Sequence, residues 1–153
     1  MAENDEYLKL DNQLCFVLYA GSRAITRLYK PLLDRLNLTY PQYLVMLVLW
    51  ENDSQSVTGI GKRLQLDSGT LTPLLKRLES QGLILRQRLE SDERKVIVAL
   101  TDKGKKLKNK AAAIPRELLC RSGLSEKEFR LIKDTISALI VRMDQGPAEC
   151  GDK

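Results

Sequence analysis

The sequence contains no histidine. That absence removes Ser-His-Asp and Cys-His catalysis and most zinc sites, so any cysteine chemistry must be supported by something other than imidazole. No metal and no cofactor is expected. Aromatic residues are scarce, at 5% of the chain, so each one carries weight. No apolar run approaches the roughly 18 residues of a membrane span, and the start, AENDE at 2–6, is acidic and polar rather than signal-like. The expectation is a cytoplasmic protein with no membrane partner. Three widely spaced cysteines do not make the disulfide framework of a secreted domain.

What remains is a chain of 153 residues, 43% hydrophobic and 29% charged, enough for one domain with a real core. Its net charge of +5 is uneven. Residues 1–55 carry −2, residues 56–110 carry +7 and residues 111–153 are neutral. All the excess positive charge lies in the middle third. Such a block suits a polyanion partner, although charge alone does not separate docking from a solvated basic face.

Residues 8–36 read as one long helix. Leu14, Leu18, Gly21, Ile25, Leu28 and Leu32 recur at alternating steps of 4 and 3, a heptad-like stripe longer than a monomer core needs. Pro31 is expected to kink its end. Pro41 suits the first turn of a second helix, Tyr43–Trp50, apolar nearly all round and therefore buried. Ser56 or Thr58 can cap a third helix carrying Ile60 and Leu64. After a tight turn at Gln65–Asp67, a fourth helix runs from Ser68 to Gln81, with Leu71, Leu74, Leu75 and Leu78 on one face and Gly82 closing it.

Two alternating runs, Leu83–Arg88 and Lys95–Leu100, joined by the charged loop Leu89–Arg94, read as a β-hairpin. Thr101 caps a fifth helix that Pro115 bends or breaks. Ser125 with Glu128 starts a last helix, about 126–143, and the tail 148–153 reads as disordered. The fold class is mainly α with a small β-hairpin.

Helix, short turn, helix and hairpin, in that order, make a winged helix-turn-helix over residues 56–100. The second helix of the pair would enter the major groove of double-stranded DNA. Ser68, Thr70 and Thr72 are of the right type for base or phosphate contacts, and Lys76 and Arg77 can reach phosphates or guanine. In the loop, Asp92 stands two residues before Arg94. A carboxylate so placed can hold a guanidinium for entry into a narrow minor groove, flanked by Arg86, Arg88 and Lys95.

The segments DSGTLTPLLKRLESQGLI at 67–84, SDER at 91–94 and VALTDKG at 98–104 resemble the MarR family of bacterial regulators. The resemblance runs from about Leu8 to Met143. It implies a single MarR-type chain over 1–153 that forms a homodimer through residues 8–36 and 111–145, with two reading helices on an inverted-repeat operator. Half-sites would lie ~34–36 Å apart.

Cys15 stands early in the first helix. Beside Leu14 and Phe16 it reads first as a small core residue. Two features point to reactivity instead. An N-cap at Asp11 or Asn12 would put Cys15 in the first turn, where the helix dipole favours an anion, and Tyr19 at i+4 could donate to its sulfur. The segments LCFVLY at 14–19, YKPLLD at 29–34 and LTYPQY at 38–43 are similar to the organic-hydroperoxide-sensing branch of the family, called OhrR.

That likeness implies that Cys15 is the peroxidatic sensor, with Tyr29 and Tyr40 supporting its thiolate from the other subunit. The trans arrangement is sensible, because Tyr29 lies ~21 Å along a continuous helix from Cys15. It further implies the two-cysteine type, with Cys120 as the resolving thiol. Cys150, in the polar tail, is expected to be an exposed bystander, although a thiol there, or a small external one, could compete as resolver. The implied function is a repressor that releases its operator when an organic hydroperoxide oxidises Cys15. Two rivals use the same residues: a MarR-type regulator released by a bound small molecule, and a thiol peroxidase, for which the basic wing has no use.

Overall fold

A computed structural model describes the backbone of residues 2–89 and 92–146, and the side chains of 5–88 and 95–146. The chain divides into two compact units, residues 1–114 and 115–153. The tail with Cys150, and the side chains of Asp92 and Arg94, lie outside the described residues.

The expected helix over 8–36 is broken in two. A short α1 (Ala2–Tyr7) and a 3-10 turn at Leu10–Asn12 precede α2 (Leu14–Asp34). The break falls at Gln13, whose extended backbone is the N-cap of α2 in place of Asp11 or Asn12. Cys15 is therefore the second helical residue. Pro31 does not end the helix, which continues to Asp34. The heptad stripe is buried only at its far end: Leu32 is 1% exposed, whereas Leu14 is 56% exposed.

Asn37, at φ 54°, turns the chain into α3 (Tyr40–Glu51), which starts three residues earlier than its apolar run suggested. Thr39 and Gln42 account for the earlier start, since the Thr39 amide donates to Gln42 Oε1 at 2.8 Å. α3 buries Tyr43, Val45, Met46, Val48, Leu49 and Trp50 and forms the centre of the core.

Ser56 caps α4 (Val57–Leu64), accepting from the Gly59 amide at 3.0 Å. Gln65 adopts a left-handed conformation, and the chain folds back so closely that a Cβ on Gly61 would meet the Leu66 carbonyl at 2.9 Å. That contact requires glycine at position 61 for the tight turn. Asp67 then caps α5 (Ser68–Ser80), which buries Leu71, Leu75 and Leu78. Gly82, at φ +70°, lets the chain leave the helix.

The sheet has three strands rather than the expected two. β1 (Gln55–Ser56) is too short to leave an alternation in the sequence, but it pairs antiparallel with β3 (Asp92–Leu100), with Gln55 opposite Val98. β2 (Ile84–Leu89) pairs on the other side of β3, with Ile84 opposite Leu100 and Arg86 opposite Val98, and the register shifts between Arg88 and Leu89. Both wing strands run further toward the loop than the alternating pattern indicated. Ile84, Val98 and Leu100 point into the core, and Leu85 points out.

Thr101 caps α6 (Asp102–Ala111). α7 (Ile114–Ser122) begins just before Pro115, so the fifth helix is broken rather than bent and the proline lies in the first turn of the next one. In the second unit, Ser125 and Glu128 form the capping box of α8 (Glu126–Asp144), which buries none of its residues and exposes Phe129, Leu131, Ile132, Ile140 and Val141.

Candidate nucleic-acid interface and thiol site

α5 is held at its start by Asp67. Its carboxylate accepts from the Thr70 amide at 2.9 Å through Oδ1 and from the Thr70 hydroxyl at 2.8 Å through Oδ2. Those bonds, the amide first, hold the Asp67 carboxyl below the usual carboxylate range. The Thr72 hydroxyl donates to the Ser68 carbonyl at 2.7 Å. Both threonine protons are thus committed within the helix. What Thr70 and Thr72 can offer a groove is a lone pair and a methyl group, which suit a base amino group and the thymine methyl better than a phosphate. Ser68, Lys76 and Arg77 are exposed on the same helix.

Arg86 departs from expectation. On β2 it shares the inward parity of Ile84, which aims its guanidinium at α5. Nε donates to Glu79 Oε2 at 2.9 Å and Nη2 donates to the same oxygen at 2.6 Å. The pair is two-thirds buried and holds the Glu79 carboxyl below its ordinary range. Arg86 therefore ties β2 to α5, with about a quarter of its side chain still open to solvent. A cleft of about 460 Å³ opens beside it, lined by Ser56, Thr58, Thr72, Leu75 and Lys95.

Cys15 and Cys120 are free thiols, and both are exposed. Cys15 occupies the first turn of α2, and Cys120 lies inside α7. The Tyr19 hydroxyl does not turn to Cys15 as expected. It accepts from Arg23 Nη1 at 3.0 Å, with the guanidinium 5.4 Å from the tyrosine ring.

Tyr29 and Tyr40, named on separate helices, come together with ring centroids 4.8 Å apart. Burial, then the neighbouring Tyr40 and Tyr43, push the Tyr29 phenol up to about 12. Burial also raises Tyr40. These phenols therefore keep their protons at neutral pH and can act only as donors to an anion.

Sequence reasoning missed two members of the group. Tyr43 stacks 5.8 Å from Tyr29, and Trp50 meets Tyr43 edge-on at 6.2 Å. The signal was there, since positions 40, 43 and 50 share one helical face. Half of the chain's eight aromatic rings lie in this row. Among the described residues no cluster of metal-ligating side chains occurs, and no helix is long and apolar enough to cross a membrane.

Comparison with known proteins agrees with this architecture. The family model for the transcriptional regulators SarA/Rot matches residues 27–111. The chain is 50% identical over 145 residues to the organic hydroperoxide resistance transcriptional regulator of Bacillus subtilis, covering 95% of this chain and 99% of that protein. It is similar to reduced AbfR bound to DNA, with a TM-score of 0.75 and 36% identity over 94% of this chain and 99% of the other. It is also similar to disulfide-formed AbfR, with a TM-score of 0.62 and 39% identity over 91% and 98%; AbfR is a protein of Staphylococcus epidermidis. With a capped helix pair, a braced wing and these relatives, the chain belongs to the MarR-type family of winged-helix transcriptional regulators, alongside the hydroperoxide resistance regulator of Bacillus subtilis.

Proposed function

We propose that this protein is a redox-responsive repressor. Its reduced homodimer holds an inverted-repeat operator in double-stranded DNA, and it lets go when an organic hydroperoxide oxidises Cys15. The observation that carries this reading is the exposure of Cys15 in the first turn of α2. A cysteine serving only as core filler would be buried and inert.

The Cys15 thiolate attacks the terminal peroxide oxygen, the O–O bond breaks, and the alkoxide leaves as an alcohol after taking up a proton. Cys15 becomes a sulfenic acid. The Cys120 thiol of the second subunit then displaces water and forms a disulfide. That bond requires Cα atoms within ~7 Å. Tyr29 and Tyr40 donate to the thiolate of the other subunit. α2 is continuous from Cys15 to Tyr29, a rise of ~21 Å, so the phenols of one chain do not reach its own sulfur.

Exposed Tyr7, Leu8, Leu14 and Val17 in the first unit, and the bare apolar face of α8 in the second, are the surfaces a homodimer would bury. Ser68, Thr70, Thr72, Lys76 and Arg77 read the operator, with Asp92 and Arg94 at the wing tip, while Arg86 braces the wing.

The test is Cys15→Ser. The variant should bind operator DNA as the wild type does and ignore cumene hydroperoxide. Continued release by the peroxide would remove Cys15 as the sensor, and release by a phenolic ligand instead would favour a ligand-released regulator.

A further inference from the structure

The aromatic row does not end at the tyrosines. Trp50, at the far end of α3, packs its ring against Tyr43 and donates its indole N–H to the Gly104 carbonyl at 3.0 Å, in the buried core. The Lys108 amine of the same α6 donates to the Trp50 carbonyl at 2.7 Å. Trp50 is thus clasped to α6 by both its side chain and its backbone.

The first turn of α6 is a junction. A Cβ on Gly104 would lie 2.1 Å from the Leu83 carbonyl, so α6 rests directly on the backbone where the wing begins. The Thr101 hydroxyl donates to the Gly82 carbonyl at 2.7 Å, and the Lys103 amine donates to the Gln81 carbonyl at 2.6 Å. Gln81 and Gly82 end the reading helix. Asp53, three residues beyond Trp50, accepts from the Leu100 amide at 2.8 Å, where β3 ends. The end of the reading helix and both wing strands therefore meet the turn of α6 that Trp50 grips.

We propose that Trp50 is the positioning residue that couples the tyrosine cluster to the reading helix and wing. The inference rests on the redox reading of Cys15, Tyr29 and Tyr40. α3 carries Tyr40 and Tyr43 near one end and Trp50 near the other, ~15 Å away, and is packed along its length. A close-packed helix moves as a rod. When oxidation removes the anion to which the phenols donate, a shift of their end of α3 is delivered through Trp50 to Gly104, and from there to the elements that hold DNA.

The test uses the full chain and duplexes selected from random DNA by the reduced wild-type protein. Trp50 is the sole tryptophan, so its fluorescence reports this joint alone. Emission should change when cumene hydroperoxide oxidises wild-type protein, and stay constant in Cys15→Ser. Trp50→Phe keeps a ring but loses the N–H, and its response is read as the ratio of its own reduced to oxidised affinity, so that any change in basal binding divides out. Mass spectrometry should find Cys15 oxidised in it to the wild-type extent, yet the peroxide-induced fall in affinity should shrink by about tenfold.

Full release from oxidised Trp50→Phe, or unchanged emission from wild type that has been oxidised and has let go, overturns the coupling role while leaving the redox reading intact. Wild type that is oxidised at Cys15 and still holds DNA overturns both. If Trp50→Phe does not fold, Lys108→Ala loosens the same joint from the surface and must show the reduced response; full release in that variant overturns the proposal.

Discussion

Arg86 and Glu79 join the wing to the reading helix through two hydrogen bonds to one carboxylate oxygen, at 2.9 and 2.6 Å. The pair ties β2 to α5. Arg86→Ala should therefore weaken operator binding without changing its salt dependence, because no phosphate contact is lost. Arg77→Ala should weaken it and reduce the slope of log K against log salt by about 1. Arg94→Ala at the wing tip should lower affinity at fixed salt. Equilibrium titrations at several salt concentrations separate the three.

The two free thiols of the described chain make a gel experiment decisive. After cumene hydroperoxide, wild-type protein should run as a disulfide-linked dimer under non-reducing conditions. Cys120→Ser should lose that band and Cys150→Ser should keep it. The opposite pattern would assign the resolving role to the tail cysteine.

Gly104 has no room for a side chain. Its Cβ would sit 2.1 Å from the Leu83 carbonyl, a backbone atom that cannot swing aside. Gly104→Ala should destabilise the fold by about 1–3 kcal/mol or more, read as a lower denaturant midpoint. DNA affinity should fall with it, since the strained turn is the one that seats the wing.

Burial raises Tyr29 to about 12, against an unfolded value of about 10. A protonated group whose folded pKa is raised contributes stability that is complete below the unfolded pKa. Between about pH 10 and 12 the unfolded chain loses that proton first, so this contribution falls as pH rises through the window. Denaturant midpoints should drop there. Tyr29→Phe should flatten the drop and remove the last phase of tyrosinate absorbance.

Helix order and the position of the basic block were legible in the chain itself. Ser56, Thr101 and Ser125 announce helix starts because capping depends on three or four neighbouring residues, and all three cap. The leucines of α5 reveal their buried face because helical periodicity is local. The wing strands alternate for the same reason, and even the inward parity of Arg86 was readable from Ile84, two residues before it.

Relationships between distant segments were decided only by the tertiary structure. Nothing local says that Gln55–Ser56 pairs with β3, since a two-residue strand has no period to detect. The break at Gln13 is hidden because Tyr7 and Leu10 precede Leu14 at helical spacing. That Arg86 finds Glu79 depends on β2 packing against α5, which brings the two side chains within hydrogen-bond reach. Packing gathered Tyr29, Tyr40, Tyr43 and Trp50 into one row, because burying aromatic rings against each other removes the most apolar surface from water.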